Sequence, residues 1–406
     1  MKRVKIGVLA HDFLNWSGGI DFLWLVTDSL LACPRTETVE FHLIVPDSGP
    51  RLVWRRTREL IKSRVHPRLF AKQQTTNANL GSDELCTAFL EFGDRIVIHH
   101  VDIGRSAISR ATKKLDLTVL LPVMHSLGQD FPRPWLAYAY DFQHKYFPEN
   151  FTPQSRHARD KHFAGLLTQA RAVIVNSRAA ANDITQFVPQ ATARVFTLPF
   201  APAPRSDWLK DRPEILTHYK IAPPYFIISN QFWAHKGHAT AFEAFRLIAE
   251  ANRSLSLVCT GLTNGPADLA HVPRLLAFLE KAGLKHRVQI LGLIPKRDQI
   301  ELMKHACALV QPTLFEGGPG GGAVYDAFSL DVPAIVSDIP VNRELPGASR
   351  IRFFPAGDAT ALAKRMEEQL TAPPSEKGEP EELRSAGRQR RLACGEVLWG
   401  AIDFLH

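Results

Sequence analysis

Cysteine is scarce in this 406-residue sequence, and Cys33, Cys86, Cys259, Cys307 and Cys394 form no Cys-x-x-Cys pair. That argues against a metal knot or disulfide framework and points to a reducing compartment. No run of about 18 apolar residues occurs, so no transmembrane helix is expected. The amino-terminal MKRVKIGVLAHDF is basic, but only Ile6–Ala10 is apolar before His11 and Asp12. It reads as a first strand, not as a signal peptide. Walker A, His-Glu-x-x-His and Gly-x-Ser-x-Gly motifs are missing, as is Gly-x-Gly-x-x-Gly after the first strand. These absences cut against ATPase, protease, hydrolase and dehydrogenase functions.

What is present is a globular composition, 45% apolar and 22% charged, over a length that suits two domains. The net charge of +8 is uneven: residues 1–200 carry 25 Lys and Arg against 18 Asp and Glu, the remainder 24 against 23. Much of the excess lies in Arg51–Lys72, where Arg51, Trp54, Arg55, Arg56, Arg58 and Lys62 alternate with Leu52, Val53, Leu60 and Ile61. A basic amphipathic helix of this kind suits an anionic membrane surface; the alternative is a solvated helix whose arginines face water. No nucleic-acid motif accompanies the charge, so no nucleic-acid partner is expected. The expected location is the cytoplasm, at the inner face of the membrane if that helix binds lipid.

Short apolar runs alternate with helical stretches. In the first half, Val4–Leu9, Phe41–Val45, Arg95–His99, Thr118–Pro122, Leu136–Tyr140 and Ala172–Asn176 read as strands. A helix is expected over Ile20–Ala32, and another with Ser177 as N-cap. Pro-rich Leu198–Arg205 reads as a linker. In the second half, strands are expected at Tyr225–Ser229, Leu255–Thr260, Val288–Leu291, Ala308–Gln311, Pro333–Ser337 and Arg352–Phe354. Helices are expected over His238–Ala251, Val272–Ala282, Lys296–His305 and Ala323–Leu330. Pro373–Arg384 reads as an exposed loop and Arg388–His406 as a last helix. The alternation predicts an α/β protein with two Rossmann-like, doubly wound parallel sheets. Expected limits are 1–203 for the N-terminal domain, 204–386 for the C-terminal domain and 387–406 for the last helix. Ligands then belong in the cleft at the carboxyl ends of the strands.

Chemistry concentrates in Val310–Glu344. Glu316 opens a loop holding Gly317, Gly318, Gly320, Gly321 and Gly322, whose amides can approach an anion with no Cβ in the way. The following helix aims its N-terminus at the same place, with Asp326 one turn in. A carboxylate, an amide nest and a second carboxylate suit a sugar joined to a nucleoside diphosphate; taken alone, a glycine cluster is more often a flexible loop than a ligand cradle. Asn230-Gln231-Phe-Trp-Ala-His-Lys236-Gly places a lysine at a strand-to-helix turn, able to neutralise a leaving diphosphate. Asp141-Phe-Gln-His144 follows a strand of the first half, where the acid and imidazole can bind hydroxyls and move a proton. His99, His100 and His125 read as structural.

These segments resemble the family 4 glycosyltransferases. Pro312–Glu344 is similar to that family's donor-site signature, and Asn230–His238 to its Lys-Gly segment. Asp141–Asn150 resembles the Pro-Asp-Phe-Gln-His segment of a bacterial subgroup, with Tyr140 replacing the proline. Two departures are visible: Val324 stands where the family has its second acid, the nearest being Asp326, and Gln231 replaces a usual arginine. The resemblance implies two domains facing across a cleft, the GT-B architecture, with the last helix packing back on the first domain. It implies a retaining, metal-independent hexosyltransferase needing no cofactor, in keeping with the lack of any Asp-x-Asp triplet. Its donor would be a UDP- or GDP-linked sugar and its acceptor a glycan or lipid-linked molecule, in bacterial surface polysaccharide synthesis. His144, Asp141, Lys236 and Glu316 are then the catalytic candidates. Gly18, Gly19, Asn230, Gln231 and the glycines of the 317–322 loop would line the donor site. Gly292 and Leu293 would hold the base through backbone groups, and Asp326 the ribose. The basic segment from Arg51 to Lys62 would face membrane or acceptor. Two alternatives stay open: a non-catalytic subunit with a decayed donor site, and a sugar-nucleotide epimerase or phosphorylase on the same architecture.

Overall fold

The computed structural model describes residues 3–14, 16, 18–35, 38–47, 85–102, 104–263, 270–347, 350–372 and 378–406. The basic segment with Arg51, Trp54, Arg55, Arg56, Arg58 and Lys62 lies outside them. Seven parallel strands make the first sheet: β1 (Arg3–Leu9), β2 (Thr38–Pro46), β3 (Ile96–Val101), β4 (Val119–Val123), β5 (Trp135–Tyr138), β6 (Ala172–Val175) and β7 (Arg194–Thr197). Their order is β3-β2-β1-β4-β5-β6-β7. Six more make the second: β8 (Tyr225–Ser229), β9 (Ser256–Thr260), β10 (Val288–Gly292), β11 (Leu309–Gln311), β12 (Ala334–Asp338) and β13 (Ile351–Pro355). These run β10-β9-β8-β11-β12-β13, again all parallel.

Helices cover both faces, which is why β4 and β6 are buried along their whole length. The first sheet carries α1 (Gly19–Ala32), α2 (Arg105–Lys114), α3 (Pro153–Gln169) and α4 (Arg178–Phe187). With the second come α5 (His238–Ala249), α6 (His271–Lys281), α7 (Lys296–His305), α8 (Gly321–Ser329) and α9 (Ala359–Thr371). Alternate residues serve opposite cores: Ile6, Val8, Leu121 and Leu136 pack with α1, while Leu120, Val123, Ala137 and Val173 pack with Phe163, Leu166 and Leu167 of α3. In each sheet the strand order reverses once, between β1 and β4 and between β8 and β11. Such reversals open a crevice at the carboxyl ends of the strands.

The last helix, α10 (Pro380–Leu405), returns to the first sheet as the sequence predicts. It buries Cys394, Leu398, Trp399, Ile402 and Leu405 there, each large apolar side chain stabilising by about 1.5–3 kcal/mol. α10 approaches α1 so closely that a Cβ on Gly395 would stand 2.0 Å from the Ser29 carbonyl oxygen. Trp399 Nε1 donates to the Leu30 carbonyl at 3.2 Å. The start of this helix corrects the sequence reading. It begins at Pro380, not Arg388, because Glu379 and Glu382 form a capping box around a proline at the first position. Of the loop expected over Pro373–Arg384, residues 380–384 are therefore helical, and 373–377 lie outside the described residues. β7, α2, α3 and α9 were not anticipated from the sequence.

Candidate active site

The loops after β8 and β11 meet at the second sheet's reversal. Leu314 N donates to the His235 carbonyl at 2.7 Å, so the lysine turn and the start of the glycine loop are stitched together. Gly237 is left-handed at φ 71, and a Cβ there would lie 2.0 Å from the Pro312 carbonyl oxygen. Only glycine fits that approach. Lys236 Nζ donates to Glu316 Oε1 at 2.6 Å, with side chains 15% and 10% exposed. The two turns therefore face each other, and the lysine and the acid form a pair.

Gln311, buried at the end of β11, was not singled out from the sequence, yet it organises this centre. Its Nε2 donates to Glu316 Oε1 at 3.1 Å and to the Gly320 carbonyl at 2.9 Å. Its Oε1 accepts from Asn230 Nδ2 at 2.6 Å. Asn342, equally unforeseen, accepts from Gly320 N at 2.7 Å. Gly320 and Gly321 both adopt positive φ, 69 and 63. The N-cap of α8 is Gly320, which has no side chain to cap the helix amides. Glu316 approaches it from the side: a Cβ on Gly321 would meet its carboxyl group at 2.9 Å. A carboxylate thus stands where the helix N-terminus and Lys236 both favour negative charge.

Asp326 departs from expectation. Rather than facing the glycine loop to receive a ribose, it is buried and accepts from Lys296 Nζ of α7 at 2.6 Å. Lys296 also reaches Asp21 of α1 at 3.1 Å, and Asp21 pairs with Arg205. Two carboxylates from opposite domains so share one lysine. Burial pushes the Asp326 carboxyl up to about 6, against the pull of Lys296 and with the help of Asp21. For Asp21, burial works the same way, but Lys296 and Arg205 outweigh it and hold the group low.

His144 also departs from expectation. Its ring is buried, Nε2 meeting Asp160 Oδ1 at 2.8 Å and Nδ1 accepting from Arg159 Nε at 3.2 Å. Burial lowers its pKa, with Asp160 opposing. With both nitrogens engaged it anchors the middle of α3 to the segment after β5, and no free nitrogen remains for substrate. Asp141 does reach the glycine loop: a Cβ on Gly317 would meet the Tyr140 carbonyl oxygen at 2.2 Å and Asp141 Cβ at 3.0 Å. Its carboxylate is held by Arg159 at 2.9 Å and by Gln143 N at 3.0 Å.

Other candidates scatter around the cleft. Gly19 opens α1, and a Cβ on it would lie 1.9 Å from the Phe13 carbonyl oxygen, so its own loop requires the glycine. Gly18 lies under the Trp16 ring. Gln231 follows Asn230, its carbonyl accepting from Trp233 N at 2.8 Å. Gly292 turns at φ 70 at the end of β10, with Leu293 exposed beside it. His99 pairs with His42 at 2.9 Å. His125, read as structural, instead has an exposed side chain whose Nδ1 meets Asp12 Oδ2 at 3.0 Å. Among the described residues, no three His, Cys, Asp or Glu side chains are grouped to hold a metal.

The domains also touch through the glycine turn. Ser177 Oγ accepts from Ala180 N at 2.9 Å as the cap of α4 and donates to the Gly317 carbonyl at 3.0 Å. Glu344 accepts from Arg178 N and Ala179 N, each at 2.8 Å. A carboxylate of the second domain thus occupies a helix N-terminus of the first.

Residues 212–390, which hold the lysine turn, the glycine loop and α8, match the family model described as glycosyl transferases group 1. These residues form a group 1 glycosyltransferase domain. With it the chain is a transferase enzyme, and solved structures agree on the architecture. Sucrose-phosphate synthase from Thermosynechococcus elongatus superposes with a TM-score of 0.62 at 15% identity, covering 98% of this chain and 96% of that one. A glycosyltransferase from Rickettsia africae gives 0.59 at 11% identity, covering 100% and 96%. Anabaena HepE, solved in complex with UDP and glucose, gives 0.56 at 12% identity, covering 97% and 95%. No curated protein sequence matches the transferase.

Proposed function

We propose that this transferase is a retaining, metal-independent member of family 4, moving a sugar from a UDP- or GDP-linked donor to a glycan or lipid-linked acceptor. The observation that carries the reading is the contact of Lys236 with Glu316 at the start of α8, 2.6 Å apart at the second sheet's reversal. An entering diphosphate competes with Glu316 for the lysine and the helix amides. The displaced carboxylate is then free to accept from donor sugar hydroxyls. Lys236 and the amides stabilise the diphosphate as it departs, a role worth about a hundredfold or more in rate. Lysine and helix dipole meet the diphosphate charge in this reading, so a chelator should leave turnover unchanged. Retention would come from attack on the face the phosphate leaves, and NMR of the product anomer tests it. The UDP held by Anabaena HepE supports a UDP-linked donor. A role in surface polysaccharide synthesis rests on the resemblance of the sequence motifs.

Calorimetric titration with UDP and GDP tests the donor site. Saturable binding to one nucleotide is expected, weakened at least tenfold (about 1.4 kcal/mol) by Lys236→Ala. Absence of saturable heat with either would favour a non-catalytic subunit, a reading to which the closed Lys236–Glu316 pair and Gln231 in place of arginine lend weight. No helix among the described residues is long and apolar enough to cross a membrane. We place the enzyme at the inner membrane face through Arg51–Lys72; co-sedimentation with anionic liposomes, lost on charge reversal of Arg55, Arg56 and Arg58, is the measurement.

A further inference from the structure

The glycine turn of the second domain is engaged from two sides. On its own side, Glu316 accepts from Lys236 at 2.6 Å, Asn342 accepts from Gly320 N at 2.7 Å, and the Gly318 carbonyl accepts from Gly321 N at 3.2 Å. On the other side lies the first domain. Gly317 presses on the Tyr140 carbonyl, where a Cβ would stand 2.2 Å away, and Gly318 presses on Asn176, where it would stand 3.0 Å away. Ser177 Oγ donates to the Gly317 carbonyl at 3.0 Å. Glu316, which stands in the anion position, and Gly317, which docks on the first domain, are consecutive residues. They share a planar peptide group, so one does not swing away without pulling on the other.

Two further ties hold the domains together. Glu344 accepts from the Arg178 and Ala179 amides at the start of α4, each at 2.8 Å. Lys296 of α7 bonds Asp326 of its own domain at 2.6 Å and Asp21 of α1 at 3.1 Å.

We propose that this seam is autoinhibitory: a nucleoside diphosphate binds the lysine turn only after the second domain releases the first. The inference rests on the donor-site reading above. The diphosphate must displace Glu316 from Lys236 and from the α8 N-terminus, where the carboxylate already answers the local positive potential. Displacing Glu316 pulls on Gly317, and through it on Tyr140 and Ser177. Each contact across the seam therefore lowers the population able to accept a nucleotide. A ligand restricted to one of two states has an apparent Kd equal to its intrinsic value divided by the fraction in that state. Loosening the seam then tightens nucleotide binding. A cleft that closes on its donor behaves in the opposite way, because there the contacts between the halves help to hold the ligand.

Glu344→Gln tells these two behaviours apart, since it weakens the hold on α4 without altering a side chain of the cradle. Calorimetry with UDP and GDP is run on the unaltered protein, Glu344→Gln and Lys236→Ala, and hydrogen exchange is followed at the Arg178 and Ala179 amides. Glu344→Gln should bind the preferred nucleotide about fivefold more tightly. In the unaltered protein, saturating nucleotide should make the two amides exchange several-fold faster, the reverse of the protection that a bound ligand ordinarily confers. Unchanged or weaker binding by Glu344→Gln overturns the proposal. So does exchange at Arg178 and Ala179 that nucleotide slows or leaves as it was. This second measurement uses the unaltered protein, so it decides the matter even if the variant folds poorly. Absence of binding in both the unaltered protein and Glu344→Gln overturns the donor-site reading itself, and this inference with it. A Kd that Lys236→Ala leaves unaltered does the same.

Discussion

The two sheet reversals are built from different materials. At the second, Lys236, Glu316, Gln311, Asn230 and Asn342 satisfy one another around a turn of glycines, and the motif lies in short stretches of sequence. At the first, Asp12 and His125 come from loops far apart in the chain and leave one nitrogen open to solvent. A cradle for a fixed charge needs backbone amides in series, and consecutive glycines provide them. A carboxylate–imidazole pair needs only two side chains at bonding distance, and any two loops that fold together can supply those.

Removing the cradle's cation should have the largest effect. Lys236→Ala is expected to slow single-turnover transfer by about a hundredfold; a variant of undiminished rate would strip the second reversal of its catalytic role. Next comes the seam between α10 and α1. Gly395→Ala puts a methyl group against the Ser29 carbonyl and should cost about 1–3 kcal/mol. Hydrogen exchange should show the loss in first-sheet amides, with second-sheet amides unaffected. Gly165→Ala, in α3 with open space around it, should instead stabilise by up to about 1 kcal/mol. Glu344→Gln tests whether the halves are tied together: weakening the carboxylate's hold on the α4 N-terminus should lower the urea midpoint by the equivalent of about 1 kcal/mol.

The smallest effect separates two carboxylates by sign. The raised Asp326 binds a proton more readily in the folded protein than in the unfolded chain. Its contribution to stability is present at low pH and is lost as pH rises from about 4 through about 6. Asp12 is depressed, so its contribution is present above the unfolded value of about 4 and disappears as pH falls through the lower folded value. Urea unfolding of Asp326→Asn and Asp12→Asn against pH should show slopes altered in opposite directions. Parallel changes would mean that the two reversals do not differ in their electrostatics.

Strand positions were legible because parallel strands covered on both faces are short apolar runs, such as Val119–Val123 and Ala172–Val175. Ser177 was legible as a cap because its spacing to Ala180 is local. α3 was not, since only Phe163, Leu166 and Leu167 are buried in a helix of seventeen residues. Missing α3 concealed Arg159 and Asp160, the two residues that take His144 out of the cleft. Asp326 was misplaced for a similar reason. Its partner Lys296 also bonds Asp21 of the first domain, and these helices meet only where the two halves come together. Gln311 looked like the end of a strand, and nothing in its neighbours marks it as the hub of a hydrogen-bond network.

The crossing of α10 onto α1 has a consequence for biosynthesis. Leu398, Trp399 and Ile402 of the last helix complete a core whose first-domain members, from Val4 to Ala201, leave the ribosome long before them. The lobe made first must therefore wait with an open oily seam while the lobe made second finishes its own sheet. During that interval a chaperone, or a neighbouring nascent chain, competes for the groove that α10 will fill.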